Sequence, residues 1–127
     1  MLTDKLSIVM LNCRSINTSK LGEIKLMIYI NKPDIVCFSE TWIKKYEPKF
    51  IDYIPIWQHR NFSQGGGLGI LVKRNLHYQI HKLTIYPQGL LEVQAIKLIM
   101  ANNRHLSILN IYNPSKPITQ NEFRHYF

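Results

Sequence analysis

The chain has 127 residues, which suits one domain with a core of moderate size. Its hydrophobic fraction of 46% and charged fraction of 19% exclude an intrinsically disordered chain. Sixteen Lys and Arg against eight Asp and Glu give a formal net charge of +8, which favours an anionic partner, with nucleic acid first. No apolar run is long enough to cross a bilayer, so we expect no membrane partner. Cys13 and Cys37 form neither a disulfide framework nor a metal-ligand pattern, so we expect both to be reduced thiols in the core. Reduced thiols are typical of an intracellular protein, and the nucleus is one such location.

The first part of the chain predicts a strand followed by a helix. Residues 6–12 are mostly apolar and β-branched, which indicates an inner strand that ends at Asn12. Thr18 or Ser19 is expected to cap a helix whose first turn holds Glu23. The apolar residues of this helix recur at helical spacing, and they are Leu21, Ile24 and Ile28.

The next stretch, residues 34–42, predicts the strand around which the chain is organised. Its apolar run from Ile35 to Phe38 is typical of a short strand buried on both faces. The run ends abruptly in Ser39-Glu40-Thr41, which places a carboxylate at the rim of the core. In open α/β sheets the carboxyl ends of such strands form the crevice where ligands bind. Asn12 and Glu40 are therefore expected at the same edge.

The remainder of the chain predicts mainly strands. Residues 43–54 indicate a surface loop, and Glu92, in an alternating strand, is predicted to be a surface residue. A glycine-rich turn at residues 64–69 precedes β-branched residues rather than a helix, which disfavours a nucleotide-binding loop. The predicted elements are strands at 54–60, 70–74, 78–86, 90–99 and 106–111, a hairpin turn at 102–104, and a final helix at 120–127.

Four motifs in this order resemble the endonuclease/exonuclease/phosphatase superfamily. They are Leu-Asn-Cys-Arg-Ser at 11–15, Asp-Ile-Val-Cys-Phe-Ser-Glu-Thr-Trp at 34–42, Gly-Gly-Gly-Leu-Gly-Ile at 65–70 and Asn-Ile-Tyr-Asn-Pro at 110–114. More closely, they resemble the apurinic-endonuclease-like domain of non-LTR retrotransposon polyproteins, which also carry a reverse transcriptase. The resemblance implies an α/β (α+β) fold, here part of a four-layer αββα sandwich with mixed and antiparallel sheets.

The same resemblance implies a chemistry, namely phosphodiester hydrolysis in DNA with Mg²⁺ or Mn²⁺. It makes Glu40 the acidic metal ligand, Asn12 a residue that helps to hold the metal site, and Tyr112 a contact to the scissile phosphate. A hard cation prefers such oxygen ligands and stabilises charge on the transferring phosphoryl group. The alternative for Glu40 is a solvated strand-end charge, and for Tyr112 an aromatic ring packed at a strand end.

The chain also departs from the family pattern. Its aspartates are Asp4, Asp34 and Asp52; none begins the family's Asp-x-Asn group, and no Ser-Asp-His occurs. Residues 1–127 are therefore expected to be the N-terminal part of the domain, truncated before those motifs. The leading prediction is a fragment of a Mg²⁺-dependent DNA endonuclease of a retrotransposon polyprotein, inactive alone. The alternatives are a non-catalytic basic nucleic-acid-binding fragment and a non-functional remnant.

Basic side chains supply the DNA-binding candidates, which are Arg60, Lys73 and Arg74. A scattered solubilising surface is the competing interpretation for these cations. His77 and His81 have the ligand spacing of a helix but lie in strand-like sequence, which argues against a metal pair there.

Overall fold

The computed structural model describes residues 5–60, 65–82 and 91–113. These residues form one helix, seven strands and a short 3₁₀ turn at Ala101–Asn103. In chain order they are β1 (Ile8–Asn12), α1 (Thr18–Asn31), β2 (Ile35–Ser39), β3 (Tyr53–Gln58), β4 (Leu68–Lys73), β5 (His77–His81), β6 (Glu92–Ile99) and β7 (His105–Tyr112).

The strands form two sheets that stack face to face. The first sheet has the order β1-β2-β4-β3, with β1 and β2 parallel and the other pairs antiparallel. The second sheet, β5-β6-β7, is antiparallel. The α1 helix packs through Ile24 and Ile28 on the outer face of the first sheet. The described residues therefore confirm an α+β sandwich with mixed and antiparallel sheets.

The strand β2 lies at the centre of the molecule, as the apolar run predicted. Val36 and Phe38 face the helix, whereas Ile35 and Cys37 face Ile96 of the second sheet. The side chains of these four residues are almost fully buried. Burial of a large apolar side chain contributes about 1.5–3 kcal/mol, so β2 is a main source of stability for both layers.

The N-cap of α1 lies one residue before the first of its two predicted caps. Asn17 is the N-cap, and its side-chain oxygen accepts a hydrogen bond from the Lys20 backbone at 2.9 Å. The predictions of Thr18 or Ser19 as cap and of Glu23 in the first turn were wrong, because the helix already starts at Thr18 and no acidic residue lies in its first turn.

The other elements agree with the sequence within a few residues. The glycine-rich turn leads directly into β4, and the predicted hairpin turn joins β6 to β7. The predicted strand at 78–86 is described only as far as β5, because residues 83–90 lie outside the described ranges, as does the predicted helix at 120–127.

The two cysteines are free thiols in the core. Burial raises the pKa of Cys13 to about 12 and that of Cys37 to about 11. Both thiols are therefore protonated and inert at neutral pH, in agreement with their prediction as core residues.

Candidate active site

The edge predicted to carry Asn12 and Glu40 lies at the carboxyl ends of β1 and β2, and it is called the rim below. Asn12 pairs with Ser39 where these parallel strands end. The pairing continues past the strands, because Cys13 N–H donates to the Ser39 carbonyl at 2.8 Å and Ser15 N–H donates to the Glu40 carbonyl at 2.9 Å. These bonds place Glu40 one residue beyond Asn12 along the same edge.

The turn before β4 holds the other side of this segment. Thr41 N–H donates to the Gly67 carbonyl at 3.2 Å, and Trp42 N–H donates to the Gly66 carbonyl at 2.9 Å. The residues after β2 are therefore fixed by backbone hydrogen bonds to both neighbouring segments. The position of Glu40 therefore depends on three chain segments, namely the residues after β1, the residues after β2 and the turn before β4.

Backbone strain accumulates at this rim. Arg14, Ser15, Glu40 and Trp42 have φ values of 45°, 84°, 50° and 55°, in the left-handed region that non-glycine residues seldom adopt. Each such residue costs about 1–3 kcal/mol and persists only where the surroundings impose it. Because strained residues collect at functional sites, the rim is a candidate site on backbone evidence as well.

The structure brings Glu40 and Tyr112 into contact. Tyr112 is the last residue of β7, and its hydroxyl donates a hydrogen bond to the Glu40 carboxylate. Burial raises the pKa of Tyr112 above its ordinary value and the bond to Glu40 raises it further, while the positive charge of Arg60 opposes the shift. The phenol therefore stays protonated at neutral pH and remains a hydrogen-bond donor.

Asn110 sets the position of β7 over this rim. Its side chain is 2% exposed. Its amide donates across the sandwich to the Phe38 carbonyl at 2.9 Å and to the Gly69 carbonyl at 3.3 Å. Since side chains two residues apart in a strand share a face, the same anchor directs Tyr112 towards the first sheet.

An ion pair with largely buried side chains lies beside Tyr112. Arg60 Nε lies 2.6 Å from Glu92 Oε2, and the side chains of both residues are 11% exposed. The other carboxylate oxygen of Glu92 accepts from the Gly67 backbone at 3.0 Å. The prediction that Glu92 is a surface residue was wrong, because the face of β6 that carries Glu92 and Ile96 is the one that packs on the first sheet.

The glycines before β4 make room for this arrangement. A Cβ on Gly66 would lie 2.2 Å from Arg60 Nε, and a Cβ on Gly67 would lie 2.5 Å from Thr41 Oγ1. Both glycines also have positive φ values, 64° and 95°. The glycine-rich turn therefore supports the rim by close backbone approach and is not a phosphate loop.

The few oxygen ligands at the rim suit a magnesium ion that completes its coordination shell with water and phosphate oxygens. Glu40 offers a carboxylate, Asn12 an exposed amide on the neighbouring strand, and Glu92 has both oxygens engaged. Mg²⁺ is commonly bound by one or two carboxylates, with water and phosphate oxygens completing its shell. Within residues 5–60, 65–82 and 91–113, no cluster of three or more His, Cys, Asp or Glu side chains forms a denser metal site.

The predicted DNA-binding cations do not all lie at this rim. Arg60 is beside Tyr112, but Lys73 ends β4 at the opposite end of the sheet, where Lys73 N–H donates to the Asp34 carbonyl. Arg74 follows there, and its N–H donates to the Asp52 carbonyl. Since β4 runs antiparallel to β2, these two cations are separated from Glu40 by the length of the strand.

Sequence patterns indicated some of the missed residues more clearly than others. Asn110 stands in phase with the inward-facing Ile108, and a polar residue at such a position is buried with a partner. The pairing of Arg60 with Glu92 had no such indicator, because no local spacing relates two residues on different sheets.

Comparisons with known proteins bear on the fold. No protein-family model matches the chain, and no curated protein matches it. It is similar to a solved structure described as humanized D. rerio TDP2 by 14 mutations, with a TM-score of 0.61 and 16% sequence identity. The likeness covers 94% of this chain and 51% of that one, so the chain spans about half the length of that structure. The described part of this chain therefore shares the α+β sandwich fold of that structure.

Proposed function

We propose that this chain is part of a divalent-metal-dependent phosphodiesterase that cleaves DNA, of the kind found in non-LTR retrotransposon polyproteins. The observation that carries the proposal is the contact between Tyr112 and Glu40. It joins the ends of two motifs that lie far apart in the sequence, at the edge where ligands bind in sheets of this type.

In this proposal Glu40 and Asn12 hold Mg²⁺ or Mn²⁺, which supplies stabilisation of negative charge on the phosphoryl group. Tyr112 orients the Glu40 carboxylate and, as a protonated phenol, can donate to a phosphate oxygen. Arg60, held by Glu92, adds a fixed positive charge beside Tyr112. The formal net charge of +8 supports a polyanionic substrate.

The sequence contains neither of the two motifs that the resemblance expects to activate the attacking water. No Asp-x-Asn or Ser-Asp-His sequence occurs in its 127 residues. General acid–base catalysis contributes roughly 10²–10⁴-fold to a typical enzymatic rate. We therefore propose that these residues bind metal and phosphate, and that hydrolysis requires residues which this chain does not supply.

Metal binding tests the proposal without requiring turnover. Electron paramagnetic resonance or calorimetry with Mn²⁺ should detect binding to the wild-type chain and a loss of at least about tenfold in affinity for Glu40→Gln, because a carboxylate ligand is removed. Glu47→Gln is the matched control, since Glu47 is an exposed carboxylate that pairs with His59. Equal Mn²⁺ affinity in wild type and Glu40→Gln would refute the metal site.

A plasmid-nicking assay tests the expected lack of turnover. The chain alone with Mg²⁺ should leave supercoiled plasmid intact. Nicking that requires Mg²⁺ and disappears in Glu40→Gln would show that the prediction of inactivity is wrong, but it would support the proposed metal site at Glu40.

The second candidate is a non-catalytic nucleic-acid-binding module, which the strong positive charge favours. It predicts that DNA binding survives both EDTA and Glu40→Gln and that no cleavage occurs. Mn²⁺ binding that is lost in Glu40→Gln would count against this candidate and for the metal-dependent one.

A further inference from the structure

We propose that the chain carries a second nucleic-acid contact, at the end of the first sheet opposite Glu40, which accepts a nucleotide of single-stranded DNA. The contact is a cavity of about 530 Å³ whose lining includes Lys25, Tyr29, Lys32, Phe50 and Lys73, and it is called here the lysine pocket. Its volume is in the range of about 300–1,000 Å³ that small-molecule sites occupy.

The lysine pocket is remote from the candidate active site. It lies between α1 and the start of β3, where Lys73 pairs with Tyr53. Glu40 follows the other end of β2, so the two sites are separated by roughly 20 Å at about 3.3 Å per residue. The pocket is therefore a separate site and does not depend on the proposed metal chemistry.

Positive charge converges on the pocket from three parts of the fold. Lys25 lies within α1, Lys32 caps its C-terminus, and Lys73 ends β4. The lining includes one carboxylate, Asp52. Lys73 Nζ also forms an ion pair with the Asp34 carboxylate at 4.0 Å, so the three lysines exceed Asp52 and Asp34 by one charge. An anion that entered this pocket would meet an excess of cations.

The lining also includes three aromatic residues, of which Phe50 and Tyr53 are buried and Tyr29 presents an exposed ring. Lys25 Nζ lies 5.9 Å from the centroid of the Phe50 ring, which keeps the ammonium group at the pocket. The Tyr29 side chain is 75% exposed, although large aromatic residues are usually covered. Proteins that bind single strands combine such cations with rings on which bases stack. This combination favours a nucleotide over an acidic peptide, which needs the charge but not the ring.

Two lysine variants test the electrostatic half of the proposal. The double variant Lys25→Ala/Lys32→Gly removes two charges, and glycine at position 32 relieves a left-handed φ of 45°, so the fold is preserved. The control, Lys82→Ala/Lys97→Ala, makes the same charge change on β6 and just after β5. Fluorescence anisotropy with a labelled oligothymidylate of about 12 nucleotides measures affinity. EDTA is present throughout, so a failed metal site cannot affect the result.

We expect the pocket variant to lower the slope of log K against log salt by about 1.4, or about 0.7 for each phosphate contact, and the control to lower it far less. Tyr29→Ala should weaken binding about 5- to 150-fold because one stacked base is lost, whereas Tyr29→Phe should bind like wild type. Equal losses in the pocket and control variants would overturn the proposal. The proposal would also be overturned if an acidic peptide displaced the labelled oligothymidylate as well as an unlabelled thymidine oligonucleotide of equal charge does.

Discussion

The substitution Asn110→Asp tests how the second sheet is held over the candidate site. It is nearly isosteric, but it replaces the buried amide donor by an oxygen. That oxygen would face the Phe38 carbonyl, the Gly69 carbonyl and the Gln94 side-chain oxygen, which lie 2.9, 3.3 and 3.5 Å from the present nitrogen. A carboxylate among three acceptors is repelled by all of them, so the folded protein must take up a proton there.

The size of the effect follows from that proton. An aspartate has an ordinary pKa of about 3.9, so holding it neutral at pH 7 costs about 4 kcal/mol at 1.36 kcal/mol per pH unit. Loss of one amide hydrogen bond adds about 1 kcal/mol. The new carboxyl has its pKa raised in the folded state, so its penalty is absent below about pH 4 and grows as the pH rises. The variant should therefore be about 5 kcal/mol less stable at pH 7 and about 1 kcal/mol less stable near pH 4.

Urea unfolding followed by tryptophan fluorescence at both pH values measures this difference. The exposed Asn75 gives the control, because Asn75→Asp should change the free energy of unfolding by less than about 0.5 kcal/mol at either pH. If Asn110→Asp lies within about 1 kcal/mol of wild type at pH 7, the amide does not bridge the two sheets, and the placement of Tyr112 loses its support.

Three further predictions concern the rim. Gly67→Ala should destabilise the protein by about 2–4 kcal/mol, because the new Cβ would lie 2.5 Å from Thr41 Oγ1. Gly22→Ala, where nothing lies within 4 Å of the new Cβ, should stabilise the protein by up to about 1 kcal/mol. Thermal unfolding of both variants measures these changes. NMR titration with ¹³C-labelled tyrosine should place the pKa of Tyr112 above its ordinary value, and Glu40→Gln should lower it; an unchanged value would exclude their hydrogen bond. Glu92→Gln should cost about 1–3 kcal/mol in urea unfolding, because it removes the negative charge that faces the largely buried Arg60 guanidinium, and a cost below about 0.5 kcal/mol would show that the pair is solvated.

The strands could be predicted because their evidence is local. An apolar run such as Ile35 to Phe38 and the glycines and asparagines at the turns act through neighbours in the chain. The helix cap was misassigned by one residue for the same reason, since Asn17 and Thr18 are both capable caps. Local sequence does not decide between them.

The faces of β6 were harder to assign from alternation alone. Val93 and Ala95 are apolar and suggested the inward face, yet Glu92 and Ile96 lie on the face that contacts the first sheet. Both faces of this strand are largely buried, so the period-two pattern carries little information about direction. Only the packed partner sheet determines which side carries the polar groups.

The sequence by itself determined the order of strands and turns, the charge, and the residues at which β1 and β2 end. Those features depend on side-chain periodicity and on turn chemistry, which act over a few residues. The tertiary structure alone decided that Tyr112 reaches Glu40, that Arg60 pairs with Glu92, and that Lys73 lies at the far end of the sheet. These outcomes depend on how two sheets stack and on strand direction, which bring together residues that no sequence spacing relates.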